Sequence, residues 1–246
     1  MAEARHYARP PIVEAVIEVR FEGALTSREL ERVRDRFKPS YSTIEQLNKL
    51  EVQVGPGKPV KPVVSITGFK MTHRDALDVV ILQTSGVATV RRAPYESWER
   101  LRAKASENWE LLEKVLKTRK RVIRLGARFV NRIDIPDDML KEKGISGLFN
   151  AKITLPADLG GEPERYNFAI YTRHAKTGAN LLIQSSIQQK PAILDHTSIT
   201  LDTDSSWDKD IPQRIDEMWA KADMLREVKN DVFESTITDD LRALFQ

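Results

Sequence analysis

Apolar and polar residues alternate in two long stretches of the chain, and this alternation predicts two half-buried β-strands. Successive side chains of a strand point to opposite faces, so each stretch can bury one face. In residues 12–21 the apolar positions are Val13, Ala15, Ile17, Val19 and Phe21. In residues 124–135 the corresponding positions are Leu125, Ala127, Phe129, Asn131, Ile133 and Ile135. The opposite faces carry charged residues, among them Glu14, Glu18, Arg128 and Arg132.

Two other stretches carry apolar residues at spacings of three or four, which is typical of amphipathic helices. One follows Pro94 and carries Trp98, Leu101, Ala105, Trp109, Leu112 and Leu116. The other follows Pro212 and carries Ile215, Met218, Trp219, Ala222, Leu225 and Val228. Shorter helices are predicted for residues 28–37 with Thr26 or Ser27 as the cap, for residues 139–143, and after a Thr238 cap.

Four more strand candidates lie between each alternating stretch and the next long helix. In the first half they are residues 50–54, 63–72, 78–84 and 87–93, preceded by a predicted loop over residues 41–48. In the second half they are residues 152–155, 166–174, 179–188 and 193–203. The same order of elements therefore occurs in residues 1–121 and 122–246. We predict an α+β fold in which tandem β-α-β4-α repeats form one curved antiparallel sheet with the helices packed on one face.

This order of elements resembles the saddle fold of the TATA-box-binding protein. The likeness is in element order, without a sequence match. It implies that the first strands of the two halves lie side by side at the centre of the sheet. Glu14 and Glu18 would then lie near Arg128 and Arg132, where opposite charges on neighbouring strands are modestly stabilising.

Composition excludes several classes of protein and site. There is no cysteine, which excludes disulfides, thiolate metal sites and cysteine nucleophiles. No apolar run is long enough for a membrane helix, and the N-terminal residues lack an apolar signal core, so we expect a cytoplasmic protein without a membrane partner. The net charge of +3 is unevenly distributed. Residues 1–123 hold 23 Lys/Arg against 16 Asp/Glu, and the remainder holds 16 against 20.

Several motifs resemble one sporadically distributed, uncharacterised bacterial and archaeal family of about the same chain length. They are PPIVEAVIE at residues 10–18, APYESWE at residues 93–99, a late strand at residues 193–204 and FESTITDDL at residues 233–241. The likeness covers the whole chain, although the late strand departs from the usual form through His196, Thr197 and Ser198. The resemblance implies a cytoplasmic protein and a sporadic distribution compatible with a mobile defence or toxin–antitoxin-like system. It implies no catalytic residue and no cofactor.

Candidate binding residues lie on the faces of the predicted strands. Tyr171 and Arg173 share a face with Asn167, and Arg91 and Arg92 would extend a polar, weakly basic face in the first half. With Arg128 and Arg132 they form a surface suited to nucleic acid or a nucleotide. Asp202 and Asp204 alternate on one strand and could bind a divalent cation. The four histidines have no metal-ligand spacing.

The sequence leaves three functions open. The first is a non-enzymatic binding or assembly protein, either a homo-oligomer or a subunit that docks to a protein partner, since an open antiparallel face has to be covered or solvated. The second is nucleic-acid or nucleotide binding by the arginines and tyrosine of the sheet face. The third is an aspartate-based metal enzyme that uses Asp202 and Asp204.

Overall fold

The computed structural model describes residues 7–53, 61–151, 158, 163 and 165–246. In these residues the chain forms one antiparallel sheet of nine strands and five α-helices. The strands are β1 Ile12–Phe21, β2 Thr43–Gln53, β3 Lys61–Thr72, β4 Asp78–Gln83, β5 Gly86–Arg92, β6 Val122–Pro136, β7 Asn167–Arg173, β8 Asn180–Ile187 and β9 His196–Trp207. The helices are α1 Ser27–Phe37, α2 Trp98–Leu116, α3 Asp137–Leu148, α4 Ile215–Thr236 and α5 Asp239–Ala243. The strand predicted at residues 152–155 lies outside the described residues.

The two alternating stretches are neighbours in the middle of the sheet. The strand order is β2-β3-β4-β5-β1-β6-β9-β8-β7, and β1 pairs with β5 on one side and β6 on the other. Ala15 lies opposite Phe129, and Val16 lies opposite Arg128. The apolar face of β1 is therefore continuous with the apolar face of β6.

The helices pack against that apolar face. Helix α2 contacts β1 and β5, α4 contacts β6 and β9, and α1 contacts β3 and β4. The interface excludes water almost completely: Ile17, Phe129 and Trp109 are at most 1 % exposed. Burying such side chains contributes roughly 1.5–3 kcal/mol each, so the helix-covered face holds the main core. Within the described residues, no helix lies on the other face of the sheet.

Local signals fix the helix starts. Thr26 and Glu29 form a reciprocal capping box at the start of α1, in which the Thr26 hydroxyl accepts from the Glu29 amide and the Glu29 carboxylate accepts from the Thr26 amide. Ser97 accepts from the Arg100 amide at the start of α2. Thr238 precedes α5 as predicted, but its hydroxyl donates to the Leu148 carbonyl at 2.9 Å rather than capping the helix.

Two boundary predictions are wrong. Residues 43–48 belong to β2 and not to a loop, because pairing with β3 holds this polar edge strand without a continuous apolar face. The strand β9 begins at His196 and not at Ile193, since Ile193 and Leu194 lie exposed before it. At its other end β9 continues to Trp207, which pairs with Leu125 of β6.

None of the described helices combines the length and the apolar character needed to cross a lipid bilayer.

Candidate interaction surface on the open face of the sheet

The helix-free side of the sheet, called here the open face, presents one side chain from every second residue of each strand. Strand register aligns these side chains in rows that cross the sheet. One row contains Val79, Val90, Val16, Arg128, Asp204, Leu182 and Tyr171. The next contains Lys70, Ile81, Ala88, Glu18, Gly126, Ser206, Asn180 and Arg173. Apolar residues thus cluster on the β4–β5–β1 side, and charged residues lie at the centre.

The β4–β5–β1 side of the open face is concave. It encloses a depression of about 300 Å³. The floor is apolar and consists of Val16, Val79, Ile81, Ala88 and Val90. The charged residues around it are Glu14, Glu18, Arg20, Lys70, Arg92, Arg124, Arg128 and Asp204. An apolar floor with a charged rim is the usual composition of a surface that binds a partner.

Arg124 of β6 connects three strands at the centre of the open face. Its guanidinium donates to Glu18 of β1 and lies 2.9 Å from Asp204 of β9. Glu18 also accepts from Arg20 at 2.9 Å. The guanidinium crosses directly above Gly126, where an added Cβ would lie 2.5 Å from its Nη1. The glycine therefore provides the space that lets Arg124 reach both carboxylates.

Burial and ion pairing have opposite effects on the pKa of Asp204. Burial raises the pKa of Asp204 above its ordinary value, and the Arg124 guanidinium opposes that shift. Next to it, Arg128 binds Asp202 through two nitrogens, with Nε–Oδ1 at 2.9 Å and Nη2–Oδ2 at 2.6 Å. The hydrogen bonds to Asp202 raise the pKa of Arg128. A bidentate contact of this kind fixes the geometry of the guanidinium and the carboxylate.

The predicted proximity of Glu14 and Glu18 to Arg128 and Arg132 is confirmed in part: Glu14 acts electrostatically on Arg128, but the ion pairs join other residues. Glu18 pairs with Arg124, and Arg128 pairs with Asp202. In the β1–β6 register Glu18 lies opposite Gly126, with Arg124 and Arg128 one position away on either side along the same face, and Asp202 engages Arg128.

Arg91 is not on the open face, and that prediction is also wrong. It lies opposite Ala15 on the helix-covered side, is only 8 % exposed, and forms ion pairs with Asp78 at 3.1 Å and Glu96 at 2.6 Å. Consecutive residues of a strand point to opposite faces, so Arg91 and Arg92 cannot share one. Arg92 is on the open face and donates to the Ala76 carbonyl at 3.3 Å.

The remaining predicted residues do lie on the open face. Arg132 is paired with Asp134 of the same strand at 3.1 Å. Tyr171 is 79 % exposed on β7. Two residues further along, Arg173 lies opposite Asn180, and within the described part of the chain it has no ion pair. These two side chains lie on β7, three strands away from Arg124 on β6, so the structure separates them from the central arginines.

Asp202 and Asp204 point to the same face, as predicted, but each carboxylate is engaged by an arginine. In the described residues no group of three or more His, Asp or Glu side chains is arranged to hold a metal ion. A cation would have to displace Arg124 or Arg128. The geometry therefore gives no support to metal binding at these aspartates.

Sequence reasoning missed Arg124 and Gly126 as members of the site. The available signal was an arginine followed two positions later by a glycine on the charged side of a strand. Glycine weakens a strand interior and commonly marks a close approach of another group. The partner residues, however, are 106 and 80 positions away from Arg124, and this separation hides the arrangement from local patterns.

No protein-family model and no curated protein match this chain. The open face combines three features: an apolar floor, a group of ion pairs at the centre, and an exposed tyrosine and arginine at one edge.

Proposed function

We propose that this chain is a non-enzymatic binding or assembly protein, and that a protein surface, either a second copy of the chain or a different subunit, docks on the open face. The observation that carries this proposal is the concave apolar floor of Val16, Ile81 and Ala88, with a charged rim whose central members Arg124 and Arg128 are already held in ion pairs. Side chains that are fixed before binding lose little conformational freedom on association.

The balance of charge favours a protein over a polyanion. Each of the central arginines, Arg124 and Arg128, is neutralised by a carboxylate of β1 or β9. Glu14 adds a further negative charge to the rim. Nucleic-acid affinity comes largely from cations that are free to replace counterions at phosphates. A surface with alternating signs instead suits a protein whose charges complement both.

The proposal includes a tandem β-α-β4-α duplication with a saddle-like sheet. It is supported by the strand orders on the two sides of the β1–β6 pair, β2-β3-β4-β5-β1 and β7-β8-β9-β6, which run in the same sense, with one strand fewer in the described part of the second half. The family resemblance further suggests a cytoplasmic component of a mobile defence or toxin–antitoxin-like system. In such a system an assembly surface would connect this chain to the other components.

A pair of charge insertions tests the docking surface. Ile81→Glu places a carboxylate in the apolar floor, whereas Met224→Glu places one at a 43 % exposed position of α4 on the other side of the molecule. We expect Ile81→Glu to weaken self-association at least about tenfold, equivalent to 1.4 kcal/mol, and Met224→Glu to leave it unchanged. Sedimentation velocity over a concentration series measures this, with circular dichroism as the control for folding.

Affinity purification from the native cell at low salt covers the case of a different subunit. Untreated and nuclease-treated samples of the parent chain and both variants are compared. A protein that is retained by the parent and by Met224→Glu but lost with Ile81→Glu supports the proposal. If the parent is monomeric and every copurified protein is also retained by Ile81→Glu, the open face is not the docking surface.

One observation favours nucleic-acid or nucleotide binding as the second candidate. Tyr171 and Arg173 lie on the same face of β7, where an exposed ring can stack on a base and an unpaired guanidinium can bind a phosphate. Arg92, Arg128 and Arg132 lie on the same face but at least three strands away, and Asp202 and Asp134 already pair with Arg128 and Arg132. The test is a titration with fluorescent single- and double-stranded oligonucleotides at several salt concentrations. Binding that weakens in Tyr171→Ala and depends less steeply on salt in Arg173→Ala supports this candidate, and no binding at low salt removes it.

A further inference from the structure

Strand β7 lies at one end of the sheet, and within the described residues it pairs with β8 alone. Six of its seven residues are exposed, among them Ile170 at 46 % and Tyr171 at 79 %. The exception is Phe168, which is half-buried. A strand in this position presents backbone donors and acceptors that another strand can satisfy.

The pairing with β8 decides which backbone groups of β7 point outward. Successive residues of an antiparallel strand direct their N–H and C=O groups alternately to the two sides. The Tyr166 carbonyl accepts from the Ile187 amide at 3.3 Å, and the His174 amide donates to the Ala179 carbonyl at 2.8 Å. The even-numbered residues of β7 therefore face β8. The odd-numbered residues, from Asn167 to Arg173, direct their backbone groups away from the sheet.

The other end of the sheet is protected against further pairing, whereas β7 is not. Strand β2 carries the exposed charges of Glu45 and Lys49, and its register with β3 shifts between Leu47 and Asn48. Charged side chains and bulges are the usual devices that stop an edge strand from pairing with another chain. The register of β7 with β8 has no shift, and its sequence NFAIYTR contains one charge and neither proline nor glycine. Strand β7 therefore has the features of an edge that accepts a partner strand.

A second β7 fits this edge when it runs antiparallel with Ile170 opposite Ile170. All seven residues then overlap, and the outward-pointing residues of one strand face those of the other. Arg173 lies opposite Asn167, whose amide oxygen can accept from the guanidinium, so the one charge of the strand does not face itself. Tyr171 lies opposite Ala169, which leaves room for the ring. Cross-strand pairs of this kind stabilise a ladder.

We propose that two copies of this chain associate through β7, which pairs with the β7 of the second copy about a two-fold axis at Ile170. Residues directly opposite in an antiparallel ladder share a face, so the two open faces lie on the same side of one continuous sheet. A single strand pair forms a small interface, below about 1,200 Å², and we expect association that depends on concentration. The contact uses no residue of the apolar floor and does not depend on the proposed docking surface.

Disulfide cross-linking tests both the pairing and its register. The chain has no cysteine, so Ile170→Cys introduces a single thiol and any disulfide joins two copies. In the proposed register residue 170 faces its counterpart in a non-hydrogen-bonded pair, with Cβ atoms about 4.5 Å apart, which a disulfide can span after a small adjustment. Thr172→Cys is the matched control. Because Thr172 lies opposite Phe168, the two copies of residue 172 are about 13 Å apart along the strands.

The purified variants are oxidised with copper phenanthroline over a concentration series, and the dimer is quantified by non-reducing electrophoresis. We expect Ile170→Cys to cross-link at least about tenfold faster than Thr172→Cys, because only the former places two thiols within disulfide distance. Equal rates for the two variants would overturn the proposal.

Proline at an outward position separates edge pairing from folding. Ala169→Pro removes an outward N–H and leaves the bonds to β8 in place, which an edge strand tolerates. Added to Ile170→Cys, it should slow cross-linking about tenfold, since the ring also blocks the approach of a second strand. Asn167→Pro, at the first residue of β7, is the second variant if circular dichroism shows that Ala169→Pro unfolds the protein.

Ile81→Glu, also added to Ile170→Cys, distinguishes this contact from association through the open face. The cross-linking rate should stay unchanged, because Ile81 lies in the apolar floor and not on β7. A rate that falls with Ile81→Glu and persists in a folded proline variant would assign the contact to the open face and overturn pairing through β7.

Discussion

Replacing Arg124 by methionine tests whether the central ion pairs stabilise the open face. The arginine lies between Glu18 and Asp204, and methionine keeps the aliphatic bulk without the charge. The variant leaves two carboxylates on the same face without their shared cation. Each then loses a charge-assisted hydrogen bond and repels the other, because a negative Glu18 already raises the pKa of Asp204.

The exposure of the three side chains determines how much stability the Arg124→Met variant should lose. Breaking a fully buried ion pair costs about 3–5 kcal/mol, whereas an exposed pair contributes about 0–1 kcal/mol. The side chains of Arg124, Glu18 and Asp204 are 22 %, 18 % and 25 % exposed, which places them between these limits. We expect a loss of about 2 kcal/mol at pH 7.5, or a fall in Tm of about 4–8 °C for a chain of this size.

The loss should depend on pH in a defined direction. Asp204 has a raised pKa in the folded protein, and removing Arg124 raises it further. The unfolded chain, with an ordinary carboxyl pKa, ionises first as the pH rises. Ionising Asp204 therefore destabilises the folded variant only at higher pH. This loss of stability is absent below pH 3.8, the ordinary pKa of the carboxyl in the unfolded chain, and develops as the pH rises through the pKa in the folded protein. The difference in stability between Arg124→Met and the parent should shrink between pH 7.5 and pH 4.5.

Urea unfolding followed by tryptophan fluorescence at pH 7.5 and 4.5 measures both effects. Arg132→Met is the matched control, because Arg132 is 44 % exposed and its partner Asp134 is on the same strand. It should lose less than about 1 kcal/mol. The double variant Arg124→Met with Asp204→Asn should recover at least half of the loss. Equal losses for the two arginines, or a loss that is the same at both pH values, would refute the reasoning.

Three further outcomes are expected from urea unfolding. Thr26→Ala removes the hydroxyl of the capping box with Glu29 and should cost about 1 kcal/mol, and no change would show that this cap is not needed. Gly126→Ala should destabilise the parent, since its Cβ displaces Arg124. When Arg124 is already methionine, Gly126→Ala should instead stabilise the protein by about 0.5–1 kcal/mol. A loss of stability both with and without Arg124 would point to backbone strain. For Lys229 of α4, whose pKa burial lowers from 10.5 to about 8 on folding, the unfolded chain binds the proton first. The parent should therefore lose about 2 kcal/mol relative to Lys229→Met as the pH is lowered from 10.5 through 8, and a constant difference would contradict this.

Much of the fold could be predicted because its signals are local. The alternation in Ile12–Phe21 matches β1 residue for residue, and the spacing of apolar residues after Pro94 matches α2. Thr26 was one of the two residues proposed to cap α1, and it does so through a contact three positions away. The start of β2 was missed because an edge strand is held by backbone pairing to β3 and needs little apolar periodicity.

The candidate site could be predicted only in part. Strand periodicity correctly placed Tyr171 with Arg173 and Asp202 with Asp204, since residues two positions apart on a strand share a face. It failed for Arg91, where one residue of register decides between an exposed cation and a buried ion pair. The contact of Lys229 of α4 with the Phe129 ring of β6 had no signal in the sequence, because the two residues belong to different elements.

By itself, the sequence determined most of the strands and helices and which side of β1, β6, α2 and α4 faces the core, because these depend on spacings of two and of three or four residues. The tertiary structure decided which side chains meet. Arg124 connects Glu18 to Asp204 only because β6 lies between β1 and β9 and because Gly126 leaves room above it. Such contacts join residues about 80 or more positions apart, and their strength depends on a burial that exists only after the sheet and its helices have assembled.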